Sequence, residues 1–197
     1  MRILAIGDLH GDLNKAKELA ELAKEKSVDL ILLNGDFTIG DRHTPGLLKV
    51  FKDTGKPIAM LPGNHESLAT FESLLEHYEI KNLHGYSLKL GDVGLFGCGS
   101  ADLGLFQLSE KEIYYLLKKS HENIKTCKKK IMVTHVRPKG IKFDNLFSGS
   151  SAVAKAIKAF KPDIALCAHI HEAEGLEDFI GHTKVITVGK NGKILEI

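Results

Sequence analysis

Short uninterrupted apolar runs alternate with longer amphipathic stretches along most of the chain. Ile3–Ile6, Leu30–Leu33, Ile58–Leu61, Val93–Gly97, Ile131–Val133 and Ile164–Cys167 are each closed by Gly, Asp, Asn or His, the pattern of strands buried on both faces. Within 13–26, Leu13, Ala16, Leu19, Ala20 and Ala23 recur at helical spacing opposite Lys and Glu, which predicts an amphipathic helix. Ser67–Tyr78, Ser109–His121 and Ser151–Phe160 repeat the pattern. Ser109 and Glu112 have the spacing of a capping box, and Ser150 or Ser151 can cap the last helix. This alternation predicts α/β architecture with largely parallel strands. Ser87–Leu90, Lys184–Val188 and Lys193–Glu196 read as later antiparallel pairing around Asn191-Gly192. The Gly-rich residues 91–104 read as loops, too apolar at Leu103 and nearby Leu105 and Phe106 for a disordered tether.

The 197 residues, 43% hydrophobic, suffice for one sizeable core and fall short of two ordinary domains, so one domain over 1–197 is expected. Twenty-seven basic against 25 acidic side chains leave a charge of +2, which indicates neither nucleic-acid nor membrane binding. The lysines 128–130 precede a strand-like run and read as solvated. Cys98, Cys127 and Cys167 are odd in number and never form C-x-x-C, which fits a reducing compartment, the cytoplasm. The apolar start, Met1–Leu9, is too short and too soon charged for a signal peptide.

Candidate chemistry gathers where the strands end. Gly7-Asp8-Leu9-His10 follows the first, Asn34-Gly35-Asp36 the second and Gly63-Asn64-His65-Glu66 the third; Thr134-His135 and Ala168-His169-Ile170-His171 close two later ones. In open α/β sheets the ligand crevice lies beyond the carboxyl ends of the strands, so these residues are delivered to one rim. Five of the ten histidines sit there, whereas histidines satisfied within a core would not collect at one edge. Imidazole, carboxylate and amide oxygen together suit Mn²⁺, Fe, Zn²⁺ or Ni²⁺ better than Mg²⁺ or Ca²⁺.

The ordered blocks D-x-H, G-D, G-N-H-E, a lone His and A-H-x-H, spanning Asp8 to His171, resemble the calcineurin-like metallophosphoesterases, in particular small microbial members without accessory domains. The resemblance implies a four-layer αββα sandwich of two mixed β-sheets flanked by helices. It implies two divalent metals, Mn²⁺ first, with Asp8, His10 and His171 on one, Asn64, His135 and His169 on the other, and Asp36 bridging. His65 is then the catalytic proton donor or charge stabiliser, while a hydroxide bridging the metals attacks phosphorus. Three departures stand out: Phe37-Thr38-Ile39 follows Asp36 where an acidic residue is common, Ala168 replaces Gly, and Thr187-Val188-Gly189 replaces an Asn-Pro-Gly turn.

Glu66 can orient His65, or is an acid in the first turn of a helix, where the macrodipole favours acid whatever the chemistry, and Asp12 has the same two readings. Arg137, two residues past His135, can reach a substrate phosphate with its planar fork, or is an exposed loop arginine. His43, His77, His84, His121 and His182 read as surface or locally bonded. The loops 99–108 and 139–149 are candidate substrate walls, with a core or dimer role left open for Leu103, Leu105 and Phe106. An uncapped site favours small phosphodiesters, nucleotides among them. A phosphomonoesterase with the same site comes second and a non-catalytic scaffold third; the extra DNA-binding segments of nuclease relatives are missing. Oligomeric state stays open, a homo-oligomer included.

Overall fold

In the computed structural model, which describes residues 1–142, 144 and 148–197, the apolar runs become strands that end at one rim. The order begins β1 (Arg2–Ile6), α1 (Leu13–Glu25), β2 (Leu30–Asn34), α2 (Leu47–Lys52), β3 (Ile58–Leu61), α3 (Leu68–Tyr78) and β4 (Lys81–Asn82). It continues β5 (Ser87–Leu90), β6 (Val93–Cys98), α4 (Glu110–Glu122), β7 (Lys129–Thr134), α5 (Ser151–Phe160), β8 (Ile164–Cys167), β9 (Glu177–Ile180), β10 (Thr183–Thr187) and β11 (Lys193–Glu196). One sheet runs β11-β1-β2-β3-β4, parallel except for β11. The other runs β5-β6-β7-β8-β10-β9, with antiparallel strands at both edges.

Alternate side chains of a strand point to opposite faces, and here both faces are covered. Ile3, Ala5, Leu30 and Leu32 of the first sheet meet Leu95, Ile131, Val133 and Leu166 of the second. Their neighbours Leu4, Ile6, Ile31 and Leu33 turn outward beneath Leu19, Leu48, Phe51 and Phe71 of α1, α2 and α3. Phe96, Met132 and Val185 turn outward beneath Ile113, Leu117, Val153 and Ile157 of α4 and α5. The result is helix, sheet, sheet, helix, as the resemblance implied. Each fully buried Leu or Ile contributes ~1.5–3 kcal/mol, so a charge at Leu32, in the inner layer, would open both sheets.

The capping box forms at Ser109 and Glu112, and Ser150, not Ser151, caps α5 by accepting from Val153 N at 3.2 Å. The three later strands do pair antiparallel, β5 with β6, β10 with β9 and β11 with β1, but β10 and β11 do not pair with each other around Asn191-Gly192. β10 lies parallel to β8 in the second sheet, while β11 crosses to pair with β1 in the first. Gly192, at φ +72, makes that crossing where an added Cβ would lie 2.9 Å from Leu19 Cδ2. Three short elements, α2, β4 and β9, are additions to the pattern expected from sequence. Among the described residues no helix is long and apolar enough to cross a membrane.

His84 is locally bonded, its Nδ1 accepting from Gly99 N at 3.1 Å. Burial first, then the charge of Lys119, lowers its pKa from 6.5 to about 4. The unfolded chain therefore binds a proton near pH 6.5 that the folded one refuses until about 4, so stability is lost as pH falls through that window. The expected loss is about 2–3 kcal/mol. Urea midpoints at about pH 7 and 4.5 check it: His84→Gln should show a flatter pH dependence than the native protein, and an equal slope would contradict the role given to this imidazole.

Candidate metal centre

The carboxyl ends of β1, β2 and β3 face those of β7 and β8, and the two sheets are stitched together there. Gly7 N donates to Gly189 O at 3.1 Å, and His135 Nδ1 lies 2.9 Å from Asn34 O, in the facing sheet. Four residues at this rim, Asp8, His10, Asp36 and His169, have φ of +53°, +43°, +53° and +73°. Left-handed backbone is costly for residues with a Cβ and clusters where function demands a side-chain direction. The motif glycines have a steric cause as well. A Cβ on Gly63 would collide with Asp36 Oδ1, and one on Gly35 would lie 2.5 Å from His135 Nδ1.

Those turns bring the predicted ligands together. Asp8, His10 and His171 offer ligand atoms within 4.8 Å of one another, and so do Asp36, His135 and His169. His10 Nε2 and His171 Nε2 are 3.1 Å apart, and Asn64 Oδ1 lies 3.3 Å from His135 Nε2. Asp36 Oδ2 is 3.7 Å from His10 Nε2 and 3.3 Å from His135 Nε2. His135 Nδ1 faces a carbonyl, so in the neutral ring it carries the proton and leaves the Nε2 lone pair to the centre. Lone pairs of imidazole, carboxylate and amide oxygen thus converge on common points, a set that could hold divalent cations.

Burial pushes the Asp8 carboxyl up to about 6, with Asp36 adding to the shift and His135 opposing it. Asp36 is held below the usual carboxylate range: burial works against this, but His135, the N–H of His65 and His10 outweigh it. Burial also lowers His135, yet the Asp36 charge and hydrogen bond lift it to about 9. His169 falls to about 4 through burial and then His135, and burial lowers His10 too. Neutral imidazoles are the form that ligates, so His10 and His169 stand ready, whereas His135 holds a second proton that a bound cation would displace from Nε2.

A family model described as calcineurin-like phosphoesterase matches residues 1–173. The chain belongs to the calcineurin-like phosphoesterases. As a member it is a hydrolase acting on phosphate esters, from a family that uses divalent metals. No curated protein matches the sequence significantly. Among solved structures, TT1561 of Thermus thermophilus is similar with a TM-score of 0.79 and 21% identity, over 96% of this chain and 90% of that one. A dimetal phosphatase from Danio rerio aligns with a TM-score of 0.66 and 12% identity, over 96% and 88%. An archaeal phosphodiesterase gives 0.59 and 17%, over 96% and 84%. At these identities the likeness is one of fold.

In this phosphoesterase Glu66 is not an acid placed for the helix macrodipole. Ser67 is the N-cap of α3, so Glu66 lies outside the helix, and it is buried. Its carboxylate accepts from Asp36 N at 3.0 Å, Gly63 N at 2.7 Å, Thr38 N at 2.8 Å and Thr38 Oγ1 at 2.7 Å. Burial and then the Asp36 charge push its pKa up to about 7, against the pull of these donors. Glu66 therefore ties the second and third motif loops together. Asp12, by contrast, serves the helix as expected, capping α1 through Lys15 N at 3.0 Å.

His65 stands beside the ligands, its ring 4.7 Å from that of His10 in edge contact. It forms a third cluster with His10 and Asp36. Gly40 N donates to His65 Nδ1 at 3.0 Å, so a backbone group from the loop after Asp36 orients this ring. Arg137 is not an exposed loop residue: it is 2% exposed, and Nη2 donates to Lys142 O at 2.6 Å. Of the loop 139–149, residues 143 and 145–147 lie outside the described residues. The loop 99–108 does reach the rim, where Phe106 N donates to Asn64 O at 3.0 Å.

Proposed function

We propose that this phosphoesterase is a phosphodiesterase working with two divalent cations, Mn²⁺ first among them. Asp8, His10 and His171 would hold one, Asn64, His135 and His169 the other, and Asp36 both. The observation that carries this reading is Asp36 Oδ2, a single oxygen set between His10 Nε2 at 3.7 Å and His135 Nε2 at 3.3 Å. Its second oxygen, Oδ1, accepts from His65 N at 2.9 Å, which fixes the carboxylate plane.

When bound, the two ions supply an activated water and neutralise the phosphoryl oxygens. The chain supplies orientation. The Gly40 N–H occupies His65 Nδ1, so in the neutral ring the proton rides on Nε2 and can be donated in a hydrogen bond to a phosphoryl or leaving-group oxygen. His65 on this reading is a charge stabiliser. Arg137, whose Nε and Nη1 have no partner among the described residues, borders the cleft beside His169 and can serve an anionic substrate oxygen.

Two clefts that open from the centre support the diester preference. One of about 330 Å³ lies past Asp8, His10 and His171 toward Lys190; the other, of about 350 Å³, lies past His169 toward Leu103 and Ile170. A diester has two organic arms, and a nucleotide arm suits either cleft by size. Free thiols at Cys98, Cys127 and Cys167 fit a reducing cytoplasm.

The test is hydrolysis of bis-p-nitrophenyl phosphate beside p-nitrophenyl phosphate by metal-stripped protein, with and without Mn²⁺. Mn²⁺-dependent turnover favouring the diester is expected, with His65→Ala lowering kcat about 10²-fold. Turnover of the monoester alone would make the protein a phosphomonoesterase with the same site. Metal binding without turnover of either would point to a scaffold.

A further inference from the structure

Three exposed aliphatic side chains stand around the centre, and one of them, Leu103, lines the cleft past His169. Ile39, Leu103 and Leu105 are 53%, 69% and 63% exposed, three large aliphatic side chains in water close to a cluster of charged and imidazole groups. Their positions are tied to the centre. Ile39 reaches over Gly11, beside His10, where an added Cβ would lie 3.4 Å from Ile39 Cδ1. Leu105 Cδ1 would lie 3.5 Å from a Cβ on Gly40, the residue that holds His65. Leu103 lines the cleft with Val136, His169 and Ile170.

The wall is rigidly mounted. Gly104, at φ +115, presses its backbone on Asn64, where a Cβ would collide with the side-chain amide. Ser100 N donates to Pro62 O at 2.7 Å, Leu108 N to Ala101 O at 2.9 Å, and Gln107 Nε2 to Gly104 O at 2.7 Å. A loop so closed presents Leu103 and Leu105 without further ordering cost, which is how a preorganised binding wall differs from a stray hydrophobic surface.

We propose that Ile39, Leu103 and Leu105 are specificity residues that seat a flat aromatic group, of phenyl or nucleobase size, esterified to the phosphate bound at the metal centre. The inference rests on the phosphoesterase site just proposed and names its substrate class. Three observations favour this occupant. The wall is continuous with that site through His169, Asn64 and Gly40. The cleft of about 350 Å³ is within the range of small-molecule sites. Its lining sets Leu103, Val136 and Ile170 beside Asp102, Arg137, Ser148 and His169, an apolar side for the face of a ring with polar groups for its edge and for the phosphate.

Calorimetric titration of the Mn²⁺-loaded protein with inorganic phosphate, methylphosphonate and phenylphosphonate tests this by affinity rather than turnover. Phenylphosphonate should bind about tenfold more tightly than methylphosphonate. In the double variant Leu103→Ser with Leu105→Ser, both at exposed positions, that ratio should fall to near one. Phosphate binding with equal phosphonate affinities in the native protein would overturn the wall and leave the phosphoesterase reading standing. Absence of phosphate binding would overturn both. A concentration-dependent dimer lost in the double variant, with a native ratio near one, would assign the wall to a second copy of the chain.

Discussion

Asp36→Asn is expected to cut hydrolysis of bis-p-nitrophenyl phosphate by roughly 10³-fold or more. Asn has nearly the same volume and keeps an oxygen for the His65 N–H at the Oδ1 position. What it removes is the charge of the oxygen that faces both His10 and His135. A neutral amide cannot hold two cations near each other, and His135 loses the partner that lifts its pKa to about 9. The loss should fall on kcat, with metal content dropping in step. Thermal unfolding monitored beside turnover separates this from misfolding. A folded variant with native kcat would remove Asp36 from the chemistry.

Glu66→Ala is expected to produce the largest loss of stability at the rim, about 3 kcal/mol or more. Three backbone donors, from Asp36, Thr38 and Gly63, would be left without an acceptor in a site closed to water, since Glu66 is 2% exposed. Each unsatisfied buried donor costs about 1–3 kcal/mol. Activity should fall too, because the same bonds hold the loops that carry Asp36 and Asn64. Glu66→Gln should recover part of the stability, as its one oxygen can accept while its amide nitrogen opposes the remaining N–H groups. Urea unfolding of the three proteins measures this. Equal midpoints for native and Ala variants would show that the loops hold without the carboxylate.

The six strands read from the apolar runs all form, because a strand buried on both faces needs a run of apolar residues that little else in a small α/β protein needs. The short elements escaped for physical reasons. α2 has too few residues to show a helical period, β4 is a two-residue pair, and β9 is a polar edge strand whose Phe179 faces solvent. Asn191-Gly192 has the residues of a hairpin turn, but whether its strands pair or part is decided by sheets far away in sequence. The candidate ligands were legible since strand ends at one rim must converge. The support around them was not. Glu66 in sequence has the look of an acid opening a helix, and the Gly40 N–H that meets His65 is a backbone donor that every non-proline residue carries.

The most direct test of the two-metal reading is electron paramagnetic resonance of Mn²⁺-loaded protein, with metal counted per chain. The converging donor sets predict two Mn²⁺ per chain and a spectrum of exchange-coupled ions, replaced in Asp36→Asn by isolated Mn²⁺ or none. One Mn²⁺ per chain, or two giving only uncoupled signals in the native protein, would contradict a carboxylate shared between them.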